Sequence, residues 1–348
     1  MTGLFPESKF IGMSGCNTPQ RVSVVTTARL HMGFLDLHGG LGRRFGSIGL
    51  ALEQPYTRLT VTRSTEFKVQ GLGAERALAC ARRFMESAQL SHAVNLELES
   101  AIPEHAGLGS GTQMALAVGV ALTKLYESSL SVRDIAALTD RGARSGIGIG
   151  AFEQGGLLLD GGRGANTLVP PLLSRMEFPE AWRVLLIFDR SGAGVHGNEE
   201  VEAFRSLPEF PEEIAAALCR RVLMQALPAV AEQDLNAFGS AIYEIQCRIG
   251  DYFASAQGGE RYTSAAVGDA LEWMRTQGVR CVGQSSWGPT GFAVLENELE
   301  AQAMAAALEA RCAHRQGMSF MLCRARNQGS EVRVAYEGDL VDKACAVN

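Results

Sequence analysis

The 348-residue sequence carries no surplus of basic charge: 32 Lys and Arg stand against 38 Asp and Glu, a formal net charge of −6. Nucleic-acid-binding domains usually announce themselves by a basic excess, so that class of partner is set aside. A small anionic substrate stays compatible, because local basic loops decide its binding. The sequence shows no run of about 18 apolar residues, the length a bilayer-spanning helix needs, and no membrane span is expected. Its first residues hold an acid, a proline and no long apolar stretch, unlike a secretion signal. The eight cysteines, at 16, 80, 219, 247, 281, 312, 323 and 345, form no CxxC pair. That spacing speaks against a zinc site or a disulfide framework and for reduced, mostly buried thiols in a cytoplasmic protein.

What is present points to a well-packed enzyme-sized chain. With 46% hydrophobic and 20% charged residues, a substantial core can form and global disorder is excluded. The length suits two domains, here 1–180 and 181–348, with a soft boundary between 165 and 181. Alternating, β-branched segments predict strands at Arg21–Thr27 and Thr57–Arg63, joined by a Gly-rich connection around Gly39–Gly49. A helix is expected over Gly73–Leu90, a strand over Ala93–Glu99 and a helix over Met114–Leu125. Ser131 caps a short helix at 132–139; Gly142–Gly150 precedes a strand-like Ala151–Asp160. The second half opens on strand Trp182–Asp189 and continues with helices near 209–226, 230–255 and 262–277. Strands Val279–Gln284 and Gly291–Leu295 follow, then helix Glu298–Cys312 capped by Asn297, and strand Met318–Arg324.

The strongest local signal is Pro103-Glu104-His105-Ala106-Gly107-Leu108-Gly109-Ser110-Gly111-Thr112, between an expected strand and an expected helix. Glycines let the backbone approach an anion, and a helix start offers free N–H groups and a positive dipole end. A plain Gly-rich turn would explain a lone Gly-x-Gly, but two further Gly-rich segments favour phosphate binding. Pro-x-x-x-Gly-Leu-Gly-Ser resembles the phosphate loop of the GHMP superfamily. Arg144–Gly156 is similar to the second, Ser-Gly segment of its kinases, and Gly283–Phe292 to their third motif.

Two positions depart from the kinase pattern. Gly111 stands where many of these kinases have a second Ser, which helps to hold Mg²⁺. Gly148 falls where several have their catalytic Asp, and glycine can neither take nor polarise a hydroxyl proton. The segment Ala28–Leu37, with Gly42-Arg43 and Gly46–Leu52, instead resembles the start of β-ribofuranosylaminobenzene 5'-phosphate synthases, as do Arg144–Gly148 and Leu158–Gly162. The likeness runs from about residue 21 to about 325.

That resemblance implies an α+β, two-domain GHMP-kinase-like fold with the active site in the interdomain cleft. It implies transfer of a pentosyl group from 5-phosphoribosyl 1-diphosphate to 4-aminobenzoate or 4-hydroxybenzoate, with loss of CO₂ and diphosphate, in tetrahydromethanopterin synthesis. It further implies Mg²⁺ and a homodimer. Two alternatives stay open: a GHMP kinase using a base elsewhere, and a non-catalytic ligand-binding relative.

Arg29, His31, Asp36 and Arg144 are the candidate catalytic residues, Arg29 as a partner of phosphate or carboxylate. For His31 and Asp36, metal–diphosphate binding or proton handling competes with a satisfied structural histidine and a turn-capping aspartate. Gly107, Gly109, Ser110, Gly111, Thr112, Ser145, Gly146, Gln284 and Ser285 are the candidate substrate contacts. Ser110 and Glu153 are the candidate Mg²⁺ ligands. The missing side chain at Gly148 is expected to leave room for a flat ring.

Overall fold

The computed structural model describes residues 18–90, 93–191 and 197–337, the side chains of 197–201 excepted. The first sheet is built on a long hairpin, β1 (Pro19–Asp36) and β2 (Phe45–Arg63). Along β1, residues alternate between buried and accessible only as far as Val25; from Thr26 nearly every residue is buried or half-buried. Alternation is the mark of a strand with one wet face, and it fades where both faces are covered. The sequence pattern therefore ends the strand at Thr27, whereas the backbone continues to Asp36. Arg29 and His31 accordingly lie on a strand, and the Gly-rich connection shrinks to the tip of the hairpin.

Next come β3 (Lys68–Gly71), α1 (Ala74–Ser87), β4 (Val94–Ser100), α2 (Ser110–Leu125) and α3 (Val132–Leu138). After them lie α4 (Ile147–Glu153), β5 (Leu157–Asp160) and β6 (Leu172–Met176). Helix α2 is buried along almost its whole length, as expected of an apolar helix inside a core. With α1 and α3 it covers Val22, Val24, Leu59, Val61 and Leu96 of the sheet. Helix α3 has the anticipated Ser131 cap, closed into a capping box by Asp134. Helix α4 corrects the sequence reading, which placed its second half in a strand: the apolar residues of Ile147–Glu153 fit a buried helix turn as well as a strand at that length.

The second unit comprises β7 (Arg183–Asp189), α5 (Gly197–Ser206), α6 (Glu212–Arg221), α7 (Leu227–Ala231), α8 (Leu235–Phe253) and α9 (Ala265–Thr276). It continues with β8 (Cys281–Gln284), β9 (Gly291–Leu295), α10 (Glu298–Cys312), capped by Asn297 as expected, and β10 (Met318–Cys323). Its antiparallel sheet has the order β10-β7-β9-β8. One face packs on α9 and α10, and the other joins α6–α8 and the distal half of β1 in the largest apolar cluster. Strand β11 (Glu331–Tyr336) then returns to the first sheet and pairs with β1. The last described strand, β11, thus belongs to the first sheet although it lies beyond residue 181.

The helical run Glu212–Ala231 is, by length and a hydropathy of 1.4, long and apolar enough to cross a membrane, against the expectation that no such run exists. Its Ala215, Leu218, Val222, Ala226 and Val230 lie in the core, Arg220 and Arg221 interrupt it, and a third of its apolar window is buried. Cys80, Cys281, Cys312 and Cys323 are buried and unpaired, Cys247 is half-buried and Cys219 is exposed; positions 16 and 345 lie outside the described residues.

Candidate active site

Three separated segments meet where the two sheets join. The backbone N–H of Arg29 donates to Leu108 O at 3.1 Å, and its guanidinium donates to Gly107 O at 2.6 Å. Ser285 Oγ donates to the same Gly107 oxygen at 2.7 Å and accepts from the His31 N–H at 3.0 Å. Ser286 N–H donates to His31 O at 3.0 Å. Gly107 has φ +71°, and a Cβ there would lie 2.2 Å from Ser285 O. Only glycine permits both that backbone and that approach. The loop is thus clamped between β1 and the segment after β8.

Beyond the clamp, Gly109 (φ 81°) is the N-cap of α2 and supplies no side-chain cap. The first N–H groups of the helix, from Ser110 to Thr112, are thereby left for an anion. These residues are half-buried and reachable. Arg29 borders them, its guanidinium 3.2–3.3 Å from where a Gly109 Cβ would stand. Arg76 of α1, which the sequence patterns did not single out, donates to Ser110 Oγ at 3.1 Å. Its only signal was a basic residue in the first turn of an amphipathic helix, which usually means a solvated face.

Ser145 and Gly146 belong to a second knot. Buried Asp160 accepts from Ser47 Oγ at 2.5 Å, Ser145 Oγ at 3.1 Å, Gly146 N at 2.9 Å and Gly162 N at 2.8 Å. Burial pushes its carboxyl up, and those four donors pull the other way. Asp160 holds the entrance of α4 in place. Helix α4 is tied to α2 by buried Gln113, whose Nε2 donates to Gly148 O at 2.7 Å and whose Oε1 accepts from Thr26 Oγ1. Gly148 does not open a slot for a ring: a Cβ there would lie 3.1 Å from Thr112 Cγ2. Close packing of α2 on α4 uses the space.

His31 and Arg144 occupy the other side. His31 is 4% exposed, and its Nε2 has no partner among the described residues. Burial first, and then the nearby Arg29 and Arg144 charges, bring its pKa down to about 3, so the imidazole is neutral. Its ring meets Phe34 edge-on at 4.5 Å. Phe34 begins a cluster with Phe204, Phe253 and Trp287, the last two 4.3 Å apart. The Arg144 guanidinium lies 5.1 Å from the Phe204 ring centre. Between these rings is a cavity of about 30 Å³ lined by His31, Phe34, Phe253, Gln284, Ser286 and Trp287.

Several expected contacts fall elsewhere. Asp36 ends β1 and accepts from Gly39 N at 2.8 Å, a turn cap. Seven residue steps of strand separate it from Arg29, roughly 23 Å along an extended chain. Gln284 and Ser285 are buried behind the loop with their polar atoms engaged by Thr263, Gln246, Ser286, His31 and Gly107; they shape the site from outside it. Glu153 faces Arg133 at 3.9 Å, while Ser110 faces Arg76, so these two candidate metal ligands are engaged separately. No group of three or more His, Cys, Asp or Glu placed to hold a metal ion occurs among the described residues. Arg43 and Arg44 are spent on backbone oxygens of Gly161, Gly162 and Leu37.

Residues 75–156 match the family model of the GHMP kinases N terminal domain, and residues 226–314 that of the GHMP kinases C terminal domain. The chain is 35% identical over 288 residues to the beta-ribofuranosylphenol 5'-phosphate synthase of Archaeoglobus fulgidus, covering 78% of this chain and 87% of that protein. To the protein of the same name from Methanocaldococcus jannaschii it is 32% identical over 305 residues, covering 79% and 90%. Among solved structures, homoserine kinase from Cytophaga hutchinsonii matches with a TM-score of 0.62 at 15% identity, over 95% of this chain and 100% of that one. At that identity the likeness establishes the fold alone.

Proposed function

Because the chain belongs to the β-ribofuranosylphenol 5'-phosphate synthase family of the GHMP superfamily, we propose that it transfers a pentosyl group rather than a phosphoryl group. The donor is 5-phosphoribosyl 1-diphosphate, and the acceptor is 4-aminobenzoate or 4-hydroxybenzoate. The reaction belongs to methanopterin synthesis. The C1–oxygen bond breaks and its electron pair leaves with diphosphate. The ring carbon bearing the carboxylate attacks C1, and loss of CO₂ returns the electrons of the breaking C–C bond to the ring.

One observation carries this proposal. Position 148, where the phosphotransferase pattern asks for an aspartate, is a glycine packed against Thr112. A carbon nucleophile has no hydroxyl proton to give up, so this chemistry does not need that carboxylate. The N–H groups of Ser110–Thr112, with Arg29 beside them, suit the charge that grows on departing diphosphate. Neutral His31 suits the cationic side, because it adds no positive charge near C1. The 30 Å³ cavity is far smaller than the roughly 150 Å³ space that admits benzene. The acceptor is therefore assigned to the outer edge of the aromatic cluster, with its carboxylate at Arg144. Mg²⁺ would enter as a companion of the diphosphate and, when bound, would screen the diphosphate charge.

The test is incubation of the purified protein with 5-phosphoribosyl 1-diphosphate, Mg²⁺ and each ring-labelled acid. Equal release of CO₂ and diphosphate is expected, with a product mass matching the joined ring and sugar and no ATP turnover. Gly148→Asp should impair the reaction by displacing Thr112 and should not produce a kinase. Phosphorylation of a small alcohol by ATP, with 5-phosphoribosyl 1-diphosphate ignored, would overturn the proposal. Light scattering on the same preparation tests the homodimer implied by the family.

A further inference from the structure

Around the first turn of α2 the structure gathers more positive charge than its neighbours offset. A Cβ on Gly111 would stand 2.8 Å from the Arg76 Nη2 and 3.4 Å from the Arg141 Nη1. The two guanidinium groups therefore converge over one Cα, at the positive end of a 16-residue helix. They come from unrelated places, Arg76 from α1 and Arg141 from the connection between α3 and α4.

Their surroundings do little to compensate. Arg76 lies 3.5 Å from Glu104, whose side chain is half exposed. The Arg141 side chain has no hydrogen-bond or ion-pair partner among the described residues, and its Nε is fully buried. Arg83, the third arginine felt there, is answered by Asp140. Burial and the neighbouring arginines both work against the charge on Arg141. Like charges placed together at a helix N-terminus lower the stability of the empty protein unless an anion joins them.

We propose that Arg76 and Arg141 form a two-armed clamp on the diphosphate, closing over Gly111 while Arg29 borders Gly109. This rests on the assignment of diphosphate to the loop and adds the groups that grip it. Arginine suits the task because its planar fork meets phosphate oxygens with paired donors and keeps its charge at any working pH. Glycine at 111 follows from the same geometry, since any side chain there would push the Arg76 guanidinium away. The clamp also supplies fixed positive charge where the described residues assemble no set of metal ligands.

Inorganic diphosphate is the probe, titrated calorimetrically into the full chain with and without Mg²⁺, alongside ATP. Wild type should bind diphosphate. Arg76→Gln and Arg141→Gln should each weaken binding tenfold or more, and Gly111→Val should do the same while both charges remain. Arg83→Gln should stay within twofold. Arg141→Met adds a readout that a merely structural arginine would move the other way: the thermal midpoint of the ligand-free protein should rise, and its increase with diphosphate should shrink. If Arg76→Gln and Arg141→Gln bind like wild type while Gly109→Val does not bind, the clamp is wrong and the loop assignment stands. The clamp is equally wrong if Arg83→Gln loses as much as the other two. If wild type ignores diphosphate or prefers ATP, the loop assignment fails and the clamp with it.

Discussion

At Arg29, strand β1 faces backbone N–H groups and guanidinium groups; two residues on, along the same face, His31 meets aromatic rings. The first place is half-open and strongly cationic, with Arg29, Arg76 and Arg141 around one helix start. The second is nearly closed, and its one titratable ring is kept neutral by burial and by the charges of Arg29 and Arg144. A kinase would need both regions to serve phosphates and a hydroxyl. Here the contrast suits a bond that breaks into an anion on one side and a carbocation-like sugar on the other. Three guanidinium groups stand where the leaving group departs, whereas the imidazole on the aromatic side adds no further positive charge to that of Arg144.

That contrast can be broken at the anionic end first. Gly109→Val puts a β-branched residue at a positive φ and against Arg29; affinity for 5-phosphoribosyl 1-diphosphate should fall about a thousandfold, roughly 4 kcal/mol. Calorimetry on a variant with unchanged circular dichroism checks it. Wild-type affinity there would reduce the loop to a structural turn. Arg29→Gln should lower kcat/KM about a hundredfold, the usual scale for losing a preorganised partner of developing charge, with Arg29→Lys restoring only part.

The neutral end is tested through pH. His31 is ordinarily half-protonated at 6.5 and here only near 3. Between those values the unfolded chain takes up a proton that the folded chain refuses. The His31 contribution to stability is therefore complete above 6.5 and is lost as pH falls toward 3. The slope is about 1.4 kcal/mol per pH unit. Denaturant titrations of wild type and His31→Gln at pH 4 to 7 should differ by that slope, and parallel curves would mean that His31 is charged in the fold. The smallest effect belongs to neither end. Arg43→Gln, which only touches the oxygens of Gly161 and Gly162, should change stability by about 0.5 kcal/mol or less and leave turnover within twofold.

Much of the frame was legible in the sequence, for identifiable reasons. The loop before α2, the Ser131 and Asn297 caps and the strands of the second sheet are all announced by local chemistry: glycines, a hydroxyl or amide before a helix, alternation. Residues 28–36 were not, because a strand covered on both faces loses its alternation. The function of Arg76 and Arg141 was hidden differently. Each is an unremarkable basic residue in its own segment, and only the packing of α1 and the α3–α4 connection on α2 brings them together over Gly111. Asp36 went the other way: beside an arginine and a histidine in sequence it looked functional, but strand geometry carries it off to the hairpin tip. Neighbours along an extended chain separate by over 3 Å per residue, so a cluster in sequence need not be a cluster in space.

The return of β11 to β1 has a bearing on how the enzyme is made. Val25 pairs with Glu331, so the strand that carries Arg29 and His31 acquires its outer neighbour only after nearly all of the second unit has been translated. A ribosome releases the phosphate loop and its helix early, yet β1 keeps an open edge while the rest of the chain emerges. Closing so long a loop is slow and costs entropy, and an unpaired edge meanwhile invites pairing with another nascent chain. A message truncated before residue 331 would leave the first sheet unfinished, with the open edge on the strand that holds the site.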